Sequence, residues 1–253
     1  MAKIIAFANQ KGGVGKTTSA VNIAASVGIL GKKVLLVDLD PQGNTTSGVG
    51  ISKKTLKTSS YEVLIGETTA EKAVIETEFK NLWVLPSNIS LAGAEFDLYQ
   101  LDNRENRLKT QLDTIKDGYD YIFIDCPPSL GMITVNALAA ADAVIIPMQC
   151  EYYALEGLSQ LMLTIRKIKQ LYNSELEICG ILITMFNGRL ILTMQVISEL
   201  KKYYSDKLFK TPISRNVRLS EAPSFGTPVY YHDKSSKGAT EYLAVAKELL
   251  ERI

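Results

Sequence analysis

An apolar run of strand length, Lys3 to Ala8, leads directly into Asn9-Gln10-Lys11-Gly12-Gly13-Val14-Gly15-Lys16-Thr17-Thr18, and a helical pattern, Thr18 to Leu30, follows without a linker. A strand that turns through glycines straight into a helix commits the chain to a β-loop-α unit, the building block of parallel sheets. The chemistry of the turn is equally restrictive. Glycines let backbone N–H groups face phosphate oxygens, and the positive end of the helix dipole favours the anion. A plain strand-to-helix turn has no need of Gly-Lys-Thr in register at the helix start. In a phosphate loop, Lys16 reaches the β- and γ-phosphates and the Thr17 hydroxyl ligates Mg²⁺. The first glycine of the pattern G-x-x-x-x-G-K-[ST] is replaced by Gln10, and a second lysine, Lys11, enters the loop.

Further apolar runs fall at Lys33 to Val37, Leu82 to Leu85, Tyr121 to Ile124, Ala143 to Pro147 and Ile178 to Thr184. Helical patterns lie near 95–116, 132–140, 154–172, 193–204 and 237–252. Continuous apolar strands separated by helices predict an α/β fold: a mostly parallel twisted sheet with helices on both faces. No repeat, low-complexity tract or Pro-rich linker divides the 253 residues, so one domain over 1–253 is expected. Residues 43–60, rich in Gly, Ser, Thr and Lys, predict a long mobile loop. Hydrophobic residues at 46% and charged residues at 22% exclude disordered, collagen-like and coiled-coil chains. Cys126, Cys150 and Cys179 lie far apart with no CxxC pair, which suits buried free thiols in a reducing cytosol. No apolar stretch approaches membrane-spanning length, and the first apolar run is too short for a signal peptide, so a cytoplasmic protein is expected.

Three acids stand where parallel-sheet ligands bind, beyond the carboxyl ends of strands. Asp38 and Asp40 end the second run in Asp38-Leu39-Asp40-Pro41-Gln42-Gly43, and Asp125 ends another in Asp125-Cys126-Pro127-Pro128-Ser129. Phosphoryl transfer needs Mg²⁺ held by Ser/Thr and an acid, with a further group orienting the attacking water. Thr17, Asp38 and Asp125 are the expected metal-side residues. Asp40 and Lys16 are the expected catalytic residues.

The segment Lys11-Gly12-Gly13-Val14-Gly15-Lys16-Thr17-Thr18 is similar to the deviant phosphate loop, or deviant Walker A motif, of the ParA/MinD family of P-loop NTPases. The resemblance extends over essentially the whole chain. Asp38-Leu39-Asp40-Pro41-Gln42-Gly43-Asn44, Asp125 to Gly131, Gln149-Cys150-Glu151-Tyr152-Tyr153-Ala154-Leu155-Glu156-Gly157 and Arg215-Asn216-Val217-Arg218-Leu219-Ser220-Glu221 resemble the Soj branch of ParA chromosome-partition ATPases. It implies an Mg²⁺-dependent ATPase whose ATP-binding residues are Lys11, Gly12, Gly13, Val14, Gly15, Lys16, Thr17, Thr18 and Asn216. It further implies that Asp40 positions the attacking water or acts as its base, and that Lys11 is a catalytic residue that reaches across a sandwich homodimer to the partner's phosphates. The ATP dimer would bind double-stranded DNA non-specifically, and a centromere-binding ParB partner would stimulate hydrolysis and release, on the nucleoid rather than on a membrane. Two departures stand out. Asn187-Gly188-Arg189-Leu190-Ile191-Leu192 keeps an arginine but not the family's polar neighbours, and Ser214 stands where the family tends to place proline.

The net charge of +1 hides an asymmetry: residues 1–185 hold 17 basic and 20 acidic side chains, and 186–253 hold 11 and 7. Six cations between Lys201 and Arg218 face one acid, Asp206, a clustering that suits phosphate-backbone contact. Joined to the resemblance, this makes Arg189 and Arg218 the expected DNA-binding residues. A MinD-like membrane helix needs a basic polar face, whereas Ala239 to Ile253 carries three acids and two bases. An iron–sulfur reductase would need a second cysteine beside Cys126. His232 reads as surface or packing, Tyr152 and Tyr153 as packing near the sheet, and Trp83 as core.

Overall fold

The computed structural model describes residues 1–253. Seven strands form one sheet: β1 (Lys3–Phe7), β2 (Val34–Asp38), β3 (Ile75–Glu76), β4 (Leu82–Leu85), β5 (Tyr121–Asp125), β6 (Ala143–Gln149) and β7 (Glu177–Thr184). Their order is β3-β4-β2-β5-β1-β6-β7, and every pairing is parallel except that of β3 with β4. The twelve α-helices are α1 (Lys16–Ile29), α2 (Asn44–Gly48), α3 (Ser60–Ile65), α4 (Ala70–Ala73), α5 (Ala94–Leu98), α6 (Arg107–Asp113), α7 (Met132–Ala140), α8 (Ala154–Leu171), α9 (Ile191–Tyr204), α10 (Val217–Glu221), α11 (Val229–His232) and α12 (Lys237–Arg252). None is long and apolar enough to cross a membrane.

The strands are apolar on both sides because both sides are covered. Ile4, Ala6, Leu35, Val37, Ile122 and Ile124 point into one core with helices α3 to α9. Their alternates Ile5, Phe7, Val34, Leu36 and Phe123 point into a second core with α1 and α12. The small face of α1 (Ala20, Ala24, Ala25, Gly28) allows close approach, and the Tyr242 hydroxyl of α12 meets Ser19 of α1 at 3.1 Å. The predicted α/β architecture is the observed one, and the acid-bearing ends of β2 and β5 meet in register, Asp38 beside Asp125.

Several local expectations fail for identifiable reasons. The helical pattern at 95–116 is broken into α5, two single 3₁₀ turns and α6, with Asn103 in the left-handed region at φ 52° between them. Residues 43–60 are not a long mobile loop: Thr45, Thr46, Gly48 and Val49 are buried in and beside α2. Thr45 and Thr46 bond to Asp125 and Asp38 at the sheet edge, while residues 52–55 are exposed. Tyr152 and Tyr153 are exposed (76% and 69%) instead of packing near the sheet. Trp83 is only half-buried, edge-on to Tyr119 at 5.7 Å. The cysteines are free thiols, but only Cys126 is buried; Cys150 and Cys179 are half-buried.

Gly28 is where α1 presses on the β3–β4 connection. A Cβ there would lie 2.5 Å from the Lys80 carbonyl oxygen, and the Asn81 side-chain amide donates to the Gly28 carbonyl at 3.1 Å. Gly28→Ala is therefore expected to lower stability by about 1–3 kcal/mol through overpacking, despite alanine's better helix propensity. A urea midpoint equal to or above wild type would show that the connection yields freely.

Candidate functional site

The segment after β1 wraps around the start of α1, with Gly13 and Gly15 in left-handed conformation at φ 74° and 82°. No side chain caps α1, and its first turn holds no acid, so its leading N–H groups remain free to meet an anion. Neighbouring strand ends fix the loop. The Thr184 hydroxyl donates to the Val14 carbonyl at 2.7 Å, the Gln149 amide to the Gly13 carbonyl at 2.6 Å, and the Asn9 amide to the Pro147 carbonyl at 2.8 Å.

The two loop lysines have different surroundings. Lys16 is buried, and its ammonium donates to the Lys11 carbonyl at 3.1 Å. Burial pulls its pKa below the ordinary lysine value, against the opposing pull of Asp125, Cys126 and Asp40. Lys11 is half-exposed and pairs with Glu151 of its own chain.

Asp38 and Asp125 are fully buried and Asp40 nearly so. Asp38 Oδ2 accepts from the Thr46 hydroxyl at 2.7 Å and the Thr46 N–H at 2.8 Å, while Oδ1 accepts from the Asp40 N–H at 3.1 Å. Asp125 Oδ2 accepts from the Thr45 hydroxyl at 2.7 Å, and its Oδ1 is buried without a partner. Burial raises both acids, Asp38 to about 6 and Asp125 to about 7; for Asp125 the neighbouring Asp38 adds to the rise, and donation from Thr45 and the nearness of the Thr17 hydroxyl oppose it.

This donor set fits Mg²⁺. A buried carboxylate oxygen lacking a hydrogen bond is a group awaiting a cation or its water. No group of three or more His, Cys, Asp or Glu side chains forms a cage, as expected of an ion that completes its shell with phosphates and waters. Thr17 and Asp125 are the residues placed to hold it, with Asp38 alongside.

Beyond Gly15 and Thr18, a cleft of about 130 Å³ is walled by Thr184, Met185, Ile213 to Asn216, Leu219, Ser220 and Tyr242. Asn216 caps α10, its side-chain oxygen accepting from the Arg218 N–H at 2.8 Å, which leaves its amide N–H groups for a ligand. Met185 holds a left-handed backbone (φ 49°), an unfavourable conformation for a non-glycine residue that concentrates at ligand sites. At Ser214 the N–H and hydroxyl both donate to Glu241, each at 2.7 Å, a fixation that a proline, with neither donor, cannot make.

The expected DNA contacts lie apart from this cleft's floor. Arg189 is exposed with no ion pair, but Arg218 is already engaged, by Glu221 at 2.7 Å and Asp233 at 3.3 Å. His232 lies 3.7 Å from Glu221 and against the Phe225 ring. The sequence reading missed Thr45, Thr46, Ser87, Gln149, Thr184 and Glu151. Threonines and serines in loops carry no periodic signal, so only the fold shows which acid each one serves.

Residues 2–178 match the family model of the AAA domain. The chain is similar to the sporulation initiation inhibitor protein Soj of Bacillus subtilis, at 54% identity over 98% of both chains. It is similar to the chromosome partitioning protein ParA of Myxococcus xanthus, at 50% over 99% of this chain and 88% of that one. The chromosome-partitioning ATPase Soj of Treponema pallidum is 46% identical over 100% of this chain and 98% of that one. Among solved structures, the cobyrinic acid a,c-diamide synthase of Mycobacterium smegmatis with bound ATP analogue and magnesium has a TM-score of 0.87, at 37% identity over 99% of this chain and 95% of that one. A plasmid partition protein of Borrelia burgdorferi bound to AMPPNP has a TM-score of 0.83, at 30% identity over 100% of both.

The buried acids make the metal-free protein sensitive to pH. A carboxyl raised on folding holds a proton that the unfolded chain releases, so its stabilising contribution is full at low pH and is lost as pH rises from about 4 to about 7. Asp125→Asn is expected to flatten this decline and to raise the urea midpoint of the metal-free protein at pH 8. A variant whose midpoint follows the wild-type pH curve would show that Asp125 titrates alike in the folded and unfolded chains.

Proposed function

Because this chain belongs to the ParA/Soj family of chromosome-partitioning ATPases, we propose that ATP closes two copies of it into a dimer that holds DNA non-specifically until a ParB-like partner triggers hydrolysis. The protein is an Mg²⁺-dependent ATPase of the partition type, and residues 1–253 are read as one ATPase unit. When bound, Mg²⁺ neutralises charge developing on the transferred phosphoryl group. The chain's residues do the rest: the loop N–H groups and Lys16 hold phosphates, Thr17 and Asp125 hold the ion with Asp38 alongside, and Asp40 orients the attacking water. Asn216 serves the nucleoside side of the cleft.

The observation that carries the dimer reading is the split between the two lysines. Lys16 occupies the interior of the loop, whereas Lys11 lies on its outer surface against Glu151. Phosphates served by Lys11 therefore lie outside its own loop interior, and a second copy supplies them. For DNA, Arg189, Lys201, Lys210 and Arg215 are exposed and make no ion pair, a sequence-independent set suited to phosphates. Arg218 joins them only on leaving Glu221 and Asp233. A membrane role is not favoured, because the apolar face of α12 (Tyr242, Val245, Ala246, Leu249) is already buried in the core.

Amide synthesis, suggested by the name of one structural relative, needs a nitrogen donor, and drawing ammonia from glutamine calls for an activated nucleophile such as a thiolate. Burial pushes all three thiols the other way: Cys150 and Cys179 rise to about 11, and Cys126 higher still. The thiols thus lend that reading no support.

Lys11→Ala is expected to abolish ATP-dependent dimerisation in sizing chromatography while leaving monomer nucleotide binding largely intact; a mutant that still dimerises overturns the reading. In the ATP state, DNA binding should be independent of sequence and fall steeply with salt. Arg189→Glu and Arg218→Glu should remove that binding and spare dimerisation, and loss of dimerisation in both would make the arginines structural. Asp40→Ala should accumulate as the DNA-bound ATP dimer, and a variant unable to bind ATP would take Asp40 out of the hydrolytic role.

A further inference from the structure

The turn that carries Asp40 is not fixed by its own strand alone. Its carbonyl closes the turn by accepting from the Gly43 N–H at 2.8 Å, and it accepts a second bond from the Ser87 hydroxyl at 2.9 Å. Ser87 lies just beyond the end of β4, far from Asp40 in sequence, and is completely buried. Its N–H donates to the Thr46 hydroxyl at 2.8 Å, and that hydroxyl donates to Asp38 at 2.7 Å. Ser87 thus touches both acid-bearing positions: Asp40 through its hydroxyl, and Asp38 through Thr46.

The segment holding Ser87 is anchored from behind. The preceding Pro86 carbonyl accepts from the Ser60 N–H at 2.7 Å, at the start of α3. The turn itself lies so close to this segment that a Cβ on Gly43 would stand 2.8 Å from the Ser87 carbonyl oxygen. Within the turn, Asp40 Oδ1 accepts from the Gln42 N–H at 2.9 Å, and its other carboxylate oxygen has no protein donor. The rotation of that free oxygen is set by where the Asp40 backbone is pinned.

We propose that Ser87, acting with Thr46, is a positioning residue for ATP hydrolysis: the buried pair holds the Asp40 turn so that its free carboxylate oxygen is aimed at the attacking water. The proposal rests on the reading of Asp40 as the water-orienting group. Neither Ser87 nor Thr46 lines the cleft beyond the phosphate loop, and Ser87 reaches the metal-side acid Asp38 only through Thr46, so the effect of the Ser87 hydroxyl belongs to the chemical step and not to binding. Loss of the pin lets the turn drift, and displacements near 1 Å at a reacting centre carry large penalties in rate.

The test is single-turnover hydrolysis of Mg²⁺-ATP beside a direct measurement of ATP affinity. Ser87→Ala is expected to slow hydrolysis by about tenfold, the scale of one lost hydrogen bond and modest misalignment, with affinity within about twofold of wild type. Thr46→Val should behave alike, and Thr46→Ser, which restores the hydroxyl, should recover most of the rate. Removing Ser87 Oγ in an Asp40→Ala background should cost nothing further. An unchanged rate in Ser87→Ala overturns the proposal, and so does a parallel loss of rate and affinity, which marks a role in building the pocket. An Asp40→Ala protein that hydrolyses at the wild-type rate overturns the reading of Asp40, whereas an inactive Asp40→Ala beside an unimpaired Ser87→Ala overturns only the role of Ser87.

Discussion

Two carboxylates, Asp38 and Asp125, end adjacent parallel strands in register and are both removed from water. In a low-dielectric interior both lose solvation, and a neighbouring acid adds to the rise, Asp38 for Asp125 and Asp40 for Asp38, which is why both stand well above the ordinary carboxylate range. The surrounding structure is arranged about this cost. Hydroxyls from Thr45 and Thr46 meet one oxygen of each acid, the backbone of the Asp40 turn meets another, and the buried Lys16 ammonium feels the charge of Asp125 and Asp40. One oxygen of Asp125 is left without a partner. A divalent cation with its phosphates supplies what is missing, so binding the nucleotide relieves an electrostatic debt already built into the fold.

Much of this was legible in the sequence because it is written in periodic or dense local signals. The glycines and Lys-Thr of the loop, the apolar strands and the acids at strand ends each follow from short-range chemistry, and their convergence at one edge follows from parallel topology. What escaped was contributed by residues whose role depends on distant neighbours. Thr46 and Ser87 sit in segments with no periodicity, 41 positions apart, and meet because β4 lies beside β2. The same blindness produced the errors. A stretch rich in Gly, Ser, Thr and Lys reads as a loop exposed to water, yet its small hydroxyls are drawn inward because only they fit beside buried carboxylates. Tyr152 and Tyr153 erred in the opposite direction, since large aromatics read as packing residues until the structure places them in solvent beside Glu151.

The two charge systems of the chain differ in a way that bears on its cycle. In the nucleotide site the charges are buried and incompletely matched, so their interactions are strong and depend on what binds. On the C-terminal segments the charges are exposed and, at Arg218, locally matched by Glu221 and Asp233. Exposed pairs of that kind are weak because water and salt screen them, so a polyanion can displace them at little cost. Arg218 can therefore be held in a defined place without being lost to a partner of higher charge density.

The connection between the two systems is short. Arg218 stands in α10, whose N-cap is Asn216, and both Asn216 and Ser220 of this stretch wall the cleft beyond the phosphate loop. A ligand that bonds to the Asn216 amide pulls on the residue whose oxygen holds the Arg218 N–H. Ser214, two residues before Asn216 in the same lining segment, is tied through Glu241 to α12, which packs along α1 and so back to the phosphate loop. One helix thus carries the phosphate-binding turn at its start and, through its packing partner, braces the segment that presents Arg215 and Arg218. The cleft and the basic edge are thus built on the same packed elements, and the near-zero net charge of the chain is the sum of an acidic body and a basic C-terminal segment.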